Sequence, residues 1–167
     1  MFNKVTPTDI QALETMFPGR VLTGGSISED YCHDELGTAF GTPEALVKVL
    51  STREVSALMR YASAHTLPVV VRGSGTGLVG GAVCTRGGIM LDMSQMKKVL
   101  DFDTENLTVT VEAGVLLMEL AAYCEERGYR YCPDPGERAP PSGATSPPMQ
   151  AVCGRSNTES PATRSVP

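Results

Sequence analysis

The chain has 167 residues, 41% of them hydrophobic and 20% charged, with a net charge of −5, which fits an ordinary globular fold. No Lys/Arg run is present, which argues against a protein organised around a phosphate backbone, and no apolar run approaches the ~20 residues of a membrane helix. The five cysteines (Cys32, Cys84, Cys124, Cys132, Cys153) contain no C-x-x-C pair, which argues against a disulfide framework or a zinc site.

The N-terminus lacks the basic start and apolar stretch of a signal peptide, so a cytoplasmic chain is expected. Residues 6–17 read as a helix: Thr6 can cap it, Pro7 suits its first position, and Ile10, Leu13 and Phe17 recur at helical spacing. Residues 18–30 read as a Gly/Ser-rich connection. Ser51-Thr52-Arg53-Glu54 is a capping box opening a helix whose apolar face carries Val55, Leu58, Met59 and Ala62. Pro68 ends that helix, and Val69-Val70-Val71 reads as a short buried strand. Ile89–Met93 reads as a second buried strand. Lys98–Asp103 and Leu107–Ala113 form an expected β-hairpin around Thr104-Glu105-Asn106, with Thr108, Thr110 and Glu112 alternating with Val109, Val111 and Ala113. Gly114 then leads into a helix over Leu116–Arg127 that Gly128 ends. The order of elements predicts a mixed α/β or α+β plan.

The most informative segment is Val71-Arg72-Gly73-Ser74-Gly75-Thr76-Gly77-Leu78-Val79-Gly80-Gly81-Ala82, with five glycines in the nine residues after Arg72. Glycine loses the most backbone entropy on folding, so such density points to positive φ angles or to close approach of a ligand. Successive N–H groups in such a loop make an anion nest suited to phosphate. Arg72 and the hydroxyls of Ser74 and Thr76 would add donors. Gly75, Gly77 and Gly80 match G-x-G-x-x-G, but that motif should open a helix, and Gly81-Ala82-Val83-Cys84-Thr85-Arg86-Gly87-Gly88 makes a poor one. The Walker pattern fails too, because no Gly-Lys-Ser/Thr follows.

These residues resemble the FAD-binding domain of the vanillyl-alcohol oxidase (PCMH) type, closest to the FAD-linked subunit of glycolate oxidase and the D-lactate dehydrogenases. Further matches are Met90-Leu91-Asp92-Met93-Ser94-Gln95-Met96, Val111-Glu112-Ala113-Gly114-Val115 and Pro133-Asp134-Pro135-Gly136-Glu137. Tyr31-Cys32-His33-Asp34-Glu35 is similar to the family's N-terminal Tyr-x-x-Asp segment. The resemblance implies an α+β fold, the first part of a PCMH-type domain with a small parallel or mixed sheet and flanking helices. It implies that Arg72, Gly73, Ser74, Gly75, Thr76, Gly77, Gly80, Gly81 and Ala82 wrap the FAD diphosphate. Pro133, Asp134 and Gly136 would lie along the same cofactor. The implied reaction oxidises a small 2-hydroxy acid to a 2-oxo acid by hydride transfer to flavin, with other oxidase subunits as candidate partners. His33 and His65 read as structural, His65 closing its helix. Arg72 suits an ion pair as well as a phosphate, Asp92 suits a turn cap, and no catalytic residue is assigned.

The end of the chain differs in character. Residues 139–167 hold six of the twelve prolines, no aromatic, no Leu or Ile, and one acid, Glu159. Where relatives continue with a stretch like Ser-Ala-Thr-Ile-Gly-Gly-Asn-Ile-Ser-Thr-Asn-Ala-Gly-Gly, codons chosen for that stretch and read one nucleotide later spell Ala139 to Val152 without a mismatch. Cys153 to Thr163 follow in the same way from Met-Arg-Ala-Val-Lys-Tyr-Gly-Val-Thr-Arg-Asp. The expectation is a frameshift near Arg138. The chain then divides into a lead-in segment (1–42), a partial FAD-binding domain (43–138) and an out-of-frame, disordered tail (139–167). The fragment is expected to be inactive. The competing readings are a non-catalytic phosphate- or nucleotide-binding module and an inert truncated product.

Overall fold

The computed structural model describes residues 2–35 and 37–131, and the main chain of 150–155. Its elements in chain order are α1 (Pro7–Met16), β1 (Val21–Leu22), β2 (Ala45–Lys48), α2 (Thr52–Ala64), β3 (Val69–Arg72), β4 (Ile89–Asp92), β5 (Val99–Asp103), β6 (Thr108–Val111), α3 (Leu117–Glu125), β7 (Tyr129–Tyr131) and β8 (Gln150–Arg155). The α+β class expected from the sequence is the class found.

The first sheet has the order β1-β2-β4-β3, with β2, β4 and β3 parallel and β1 antiparallel at one edge. Parallel strands need crossover connections, and α2 supplies the one from β2 to β3. Side chains alternate between the faces of the sheet. Ala45, Val47, Ile89 and Leu91 pack under α1 and α2 with Leu13, Phe17, Leu58 and Ala62. On the other face Leu46 and Met90 meet Ile27 and Cys84. Both faces are covered, which is why β2 and β4 are apolar at almost every position. Each fully buried Leu or Ile here stabilises the fold by about 1.5–3 kcal/mol relative to exposure.

The second sheet is antiparallel, in the order β5-β6-β8-β7, with a bulge between Val99 and Asp101. Its core joins Val109, Val115, Leu120 and Cys124, with Phe102 edge-on to both Tyr123 and Tyr129. Gly114 couples the two halves: its N–H donates to the Met96 carbonyl at 2.8 Å, and a Cβ there would collide with the Met93 carbonyl oxygen.

Two expectations change. Val69–Val71 is not a buried central strand, because β3 lies at the sheet edge and Val71 is 49% exposed. Ser51 caps α2 by accepting the Glu54 N–H, but the Glu54 carboxylate does not close the box. It accepts instead from the Leu50 N–H at 2.8 Å and from both terminal nitrogens of Arg20 at 2.7 and 2.8 Å, a charge-assisted fork that fixes the carboxylate's direction. Residues 150–155, within the segment expected to be an out-of-frame tail, form the main-chain strand β8 between β6 and β7. A ladder is made of main-chain groups, so its pairing depends little on which side chains the segment carries. The remainder of 139–167 lies outside the described residues.

Candidate functional site

The glycine loop leaves the carboxyl end of β3, where Arg72 is the register partner of Asp92 at the end of β4. Crevices beyond the carboxyl ends of parallel strands are where open α/β sheets take ligands. Arg72 is only 6% exposed. It does not point out as a free phosphate donor, and it forms no ion pair among the described residues. Its Nη1 donates to the carbonyls of His33 at 2.8 Å and Ala82 at 3.2 Å, and its Nη2 donates to the carbonyl of Asp30 at 2.7 Å. The guanidinium also lies over the Tyr31 ring, 5.6 Å from its centroid. Arg72 thus fastens both ends of the loop's surroundings to the lead-in segment.

Residues 34, 35 and 37 of that segment engage the loop or its clamp as well. The Glu35 N–H donates to the Gly75 carbonyl at 3.1 Å. The Asp34 carboxylate accepts the Gly80 N–H at 2.7 Å through Oδ2 and the Gly37 N–H at 3.3 Å through Oδ1. Asp92, also buried, accepts from the Tyr31 hydroxyl at 2.9 Å and from the Ser94 N–H at 2.8 Å, the turn-capping contact expected of it. Burial, with the Asp92 charge beside it, pushes the Tyr31 phenol up to about 12. Burial likewise pushes the Cys84 thiol up to about 11, so it is no thiolate at neutral pH.

The glycines divide into two kinds. Gly75 (φ +82°) and Gly80 (φ +73°) are required by the chain itself. A Cβ on Gly75 would run into the Arg72 guanidinium, and one on Gly80 would lie 2.9 Å from the Ala39 methyl. Gly77 and Gly81 have neither constraint: φ is not in the left-handed region, and a Cβ on either would meet nothing within 4 Å. Both are exposed. At both positions there is open space where a side chain would stand. Ser74 and Thr76 stand beside it with their hydroxyls 3.5 Å apart. Next to the loop, an open cleft of about 430 Å³ runs between Asp30, His33, Asp34 and Glu35 on one wall and Arg72, Ser74 and Gly75 on the other.

Of the residues expected to hold a cofactor, those of 72–82 are thus brought together in one loop, with Arg72 and Gly80 engaged by the protein. Pro133, Asp134 and Gly136 lie outside the described residues. The clamp made by Asp34 is not foreshadowed by residue type or spacing; the Tyr-x-x-Asp resemblance is the one sequence signal near it. His33 contacts its own neighbour, Nδ1 to the Asp34 carbonyl at 3.1 Å, and His65 stacks on Tyr61 with centroids 4.1 Å apart. Among the described residues no group of His, Cys, Asp and Glu is placed to hold a metal, and no helix is long and apolar enough to cross a membrane.

Residues 43–164 match the family model described as FAD binding domain. A D-lactate dehydrogenase of Anaerostipes hadrus is 44% identical over 138 residues, 82% of this chain and 29% of that protein. The glycolate oxidase subunit GlcD of Bacillus subtilis (strain 168) is 38% identical over 105 residues, 63% of this chain and 22% of that protein. The mitochondrial D-2-hydroxyglutarate dehydrogenase of Danio rerio is 34% identical over 128 residues, 77% of this chain and 24% of that protein. The chain therefore spans less than a third of the length of these relatives. Among solved structures, p-cresol methylhydroxylase matches with a TM-score of 0.65 at 22% identity, over 75% of this chain and 26% of that one, a likeness of fold.

Proposed function

The chain belongs to the FAD binding domain family, and from that premise we propose that it carries the diphosphate-holding part of a flavin-dependent 2-hydroxy-acid oxidoreductase. The fold is of the vanillyl-alcohol oxidase type and the cofactor is FAD. The observation behind this reading is the open space at Gly77 and Gly81 within a glycine-dense loop at the carboxyl end of β3, where a ligand can reach the main chain. The substrate class rests on the relatives, whose names give D-lactate, glycolate and D-2-hydroxyglutarate.

In this reading Gly77 and Gly81 let the diphosphate reach the main chain, and N–H groups of the loop other than that of Gly80, which Asp34 holds, face its charge. Ser74 and Thr76 add hydroxyl donors. Arg72 lies beneath, holding the loop's shape and lending positive charge from below. Pro133, Asp134 and Gly136 are proposed to run along the same cofactor. Bound flavin supplies the hydride acceptor, while the protein positions it. No proton-transfer or substrate-orienting residue is assigned to this chain, so we propose that it turns over nothing alone and holds FAD weakly.

Residues 139–167 are proposed to be the product of a shifted frame, with segments 1–42 and 43–138 as the lead-in and the partial cofactor domain. Sequencing the locus across codon 138 tests this: uninterrupted coding for the present tail, with no family-like reading in the neighbouring frame, overturns it. The functional reading is tested by a flavin spectrum of the purified chain and assays with glycolate, D-lactate and D-2-hydroxyglutarate. Flavin lost on gel filtration and absence of turnover are expected. Stoichiometric yellow cofactor with turnover overturns the reading of an inactive fragment, and a chain unresponsive to FAD overturns the site.

A further inference from the structure

We infer that Asp34 is a positioning residue for the cofactor loop: its buried carboxylate fixes Gly80 and thereby sets the spacing between Gly77 and Gly81. This inference rests on the proposed FAD site and adds to it a residue outside the glycine motif. Asp34 is 2% exposed, and its two oxygens are committed to two main-chain donors, Gly80 at 2.7 Å and Gly37 at 3.3 Å. Gly80 lies between these two glycines, so its place in space fixes how the loop turns from one to the other. Its φ of +73° is a conformation a free loop would leave easily.

A carboxylate so close to an anion site is costly in the bound state unless it does something a neutral group cannot. Only an ionised carboxylate offers acceptors in both directions without a donor of its own. An amide in its place presents one oxygen and one NH2, so either Gly80 or Gly37 would face a donor. The segment's other grip, Glu35 N–H on the Gly75 carbonyl at 3.1 Å, holds the near end of the loop. At the far end Arg72 on the Ala82 carbonyl and the Val83 N–H on the Gly80 carbonyl, both at 3.2 Å, engage carbonyls, and Asp34 holds the Gly80 N–H.

The test uses the chain as it stands. Amide hydrogen exchange on the wild type is expected to show the Gly80 N–H protected, and D34N is expected to raise its exchange about tenfold or more. FAD titration of folded D34N, followed by loop amide shifts, is expected to need about tenfold or more FAD. Y61F breaks the 2.7 Å Tyr61–Asp9 hydrogen bond away from the loop and serves as the control. It is expected to lower the melting temperature while leaving Gly80 exchange and FAD response unchanged. A Gly80 amide exchanging like a solvated loop amide in the wild type overturns the inference, whether or not D34N folds. D34N that responds to FAD like the wild type overturns the positioning role and leaves the FAD site standing. A wild-type chain with Gly80 protected but no response to FAD overturns the FAD reading and, with it, the role in cofactor binding.

Discussion

The Tyr31 hydroxyl donates a 2.9 Å hydrogen bond to the Asp92 carboxylate, tying the lead-in segment to the end of the central strand β4. Tyr31→Phe leaves that buried carboxylate with the Ser94 N–H as its remaining hydrogen bond among the described residues. Losing one partner of a buried charged acceptor costs about 1–3 kcal/mol. The expected outcome is a lower melting temperature, read by circular dichroism.

The same phenol shapes the response to alkali. Tyr31 and Tyr61 are both pushed up to about 12, by burial and by the Asp92 and Asp9 carboxylates to which they donate. A raised pKa favours the protonated form in the folded state. The stabilisation is therefore fully present below the unfolded value of about 10 and is lost as pH rises from there towards 12. Denaturant unfolding across this window is expected to show a steep fall in stability, and a double Tyr→Phe variant at 31 and 61 is expected to flatten it.

At the acid end the sign reverses. Burial pushes the Asp9 carboxyl up, but hydrogen bonds from Thr6 and Tyr61 outweigh it and hold the group below its ordinary value. The cap of α1 thus contributes stability above the unfolded carboxylate pKa of about 3.9, lost as pH falls through the lower folded value. Asp9→Ala is expected to cost about 1–2 kcal/mol at neutral pH and to reduce the acid dependence of unfolding.

The two kinds of glycine separate folding from binding. Gly75→Ala forces a side chain into the Arg72 guanidinium at a φ of +82°, so it is expected to destabilise the chain by at least about 1–3 kcal/mol. Gly77→Ala meets nothing within 4 Å and is expected to melt like the wild type while losing its response to FAD. Thermal melts and FAD titrations of both variants read the contrast.

Much of this was legible in the residues. Thr6, Pro7 and the Ile10/Leu13/Phe17 spacing mark α1, and the alternation in Thr108–Val111 marks β6, because each signal is local. The strand β2 is not legible in the residues: Ala45–Lys48 is only four residues long, too short for a periodicity, and it is a strand because β1 and β4 flank it. The edge position of β3 was equally hidden, since Val-Val-Val reads the same at a centre or an edge. In the site, glycine density located the loop, but which glycines face outward depends on where Arg72 and Ala39 come to rest. Asp34, 46 residues before Gly80, meets it only through the fold.

The central claim is that FAD lies over the open face of the loop at Gly77 and Gly81. Its most direct test is a titration of the isotopically labelled chain with FAD, following the main-chain amide resonances of residues 73–82. The account predicts the largest shifts at Gly77 and Gly81, with smaller ones at Gly80, whose N–H is held by Asp34. Loop resonances that stay fixed at excess FAD, or shifts confined to residues outside the loop, would contradict it.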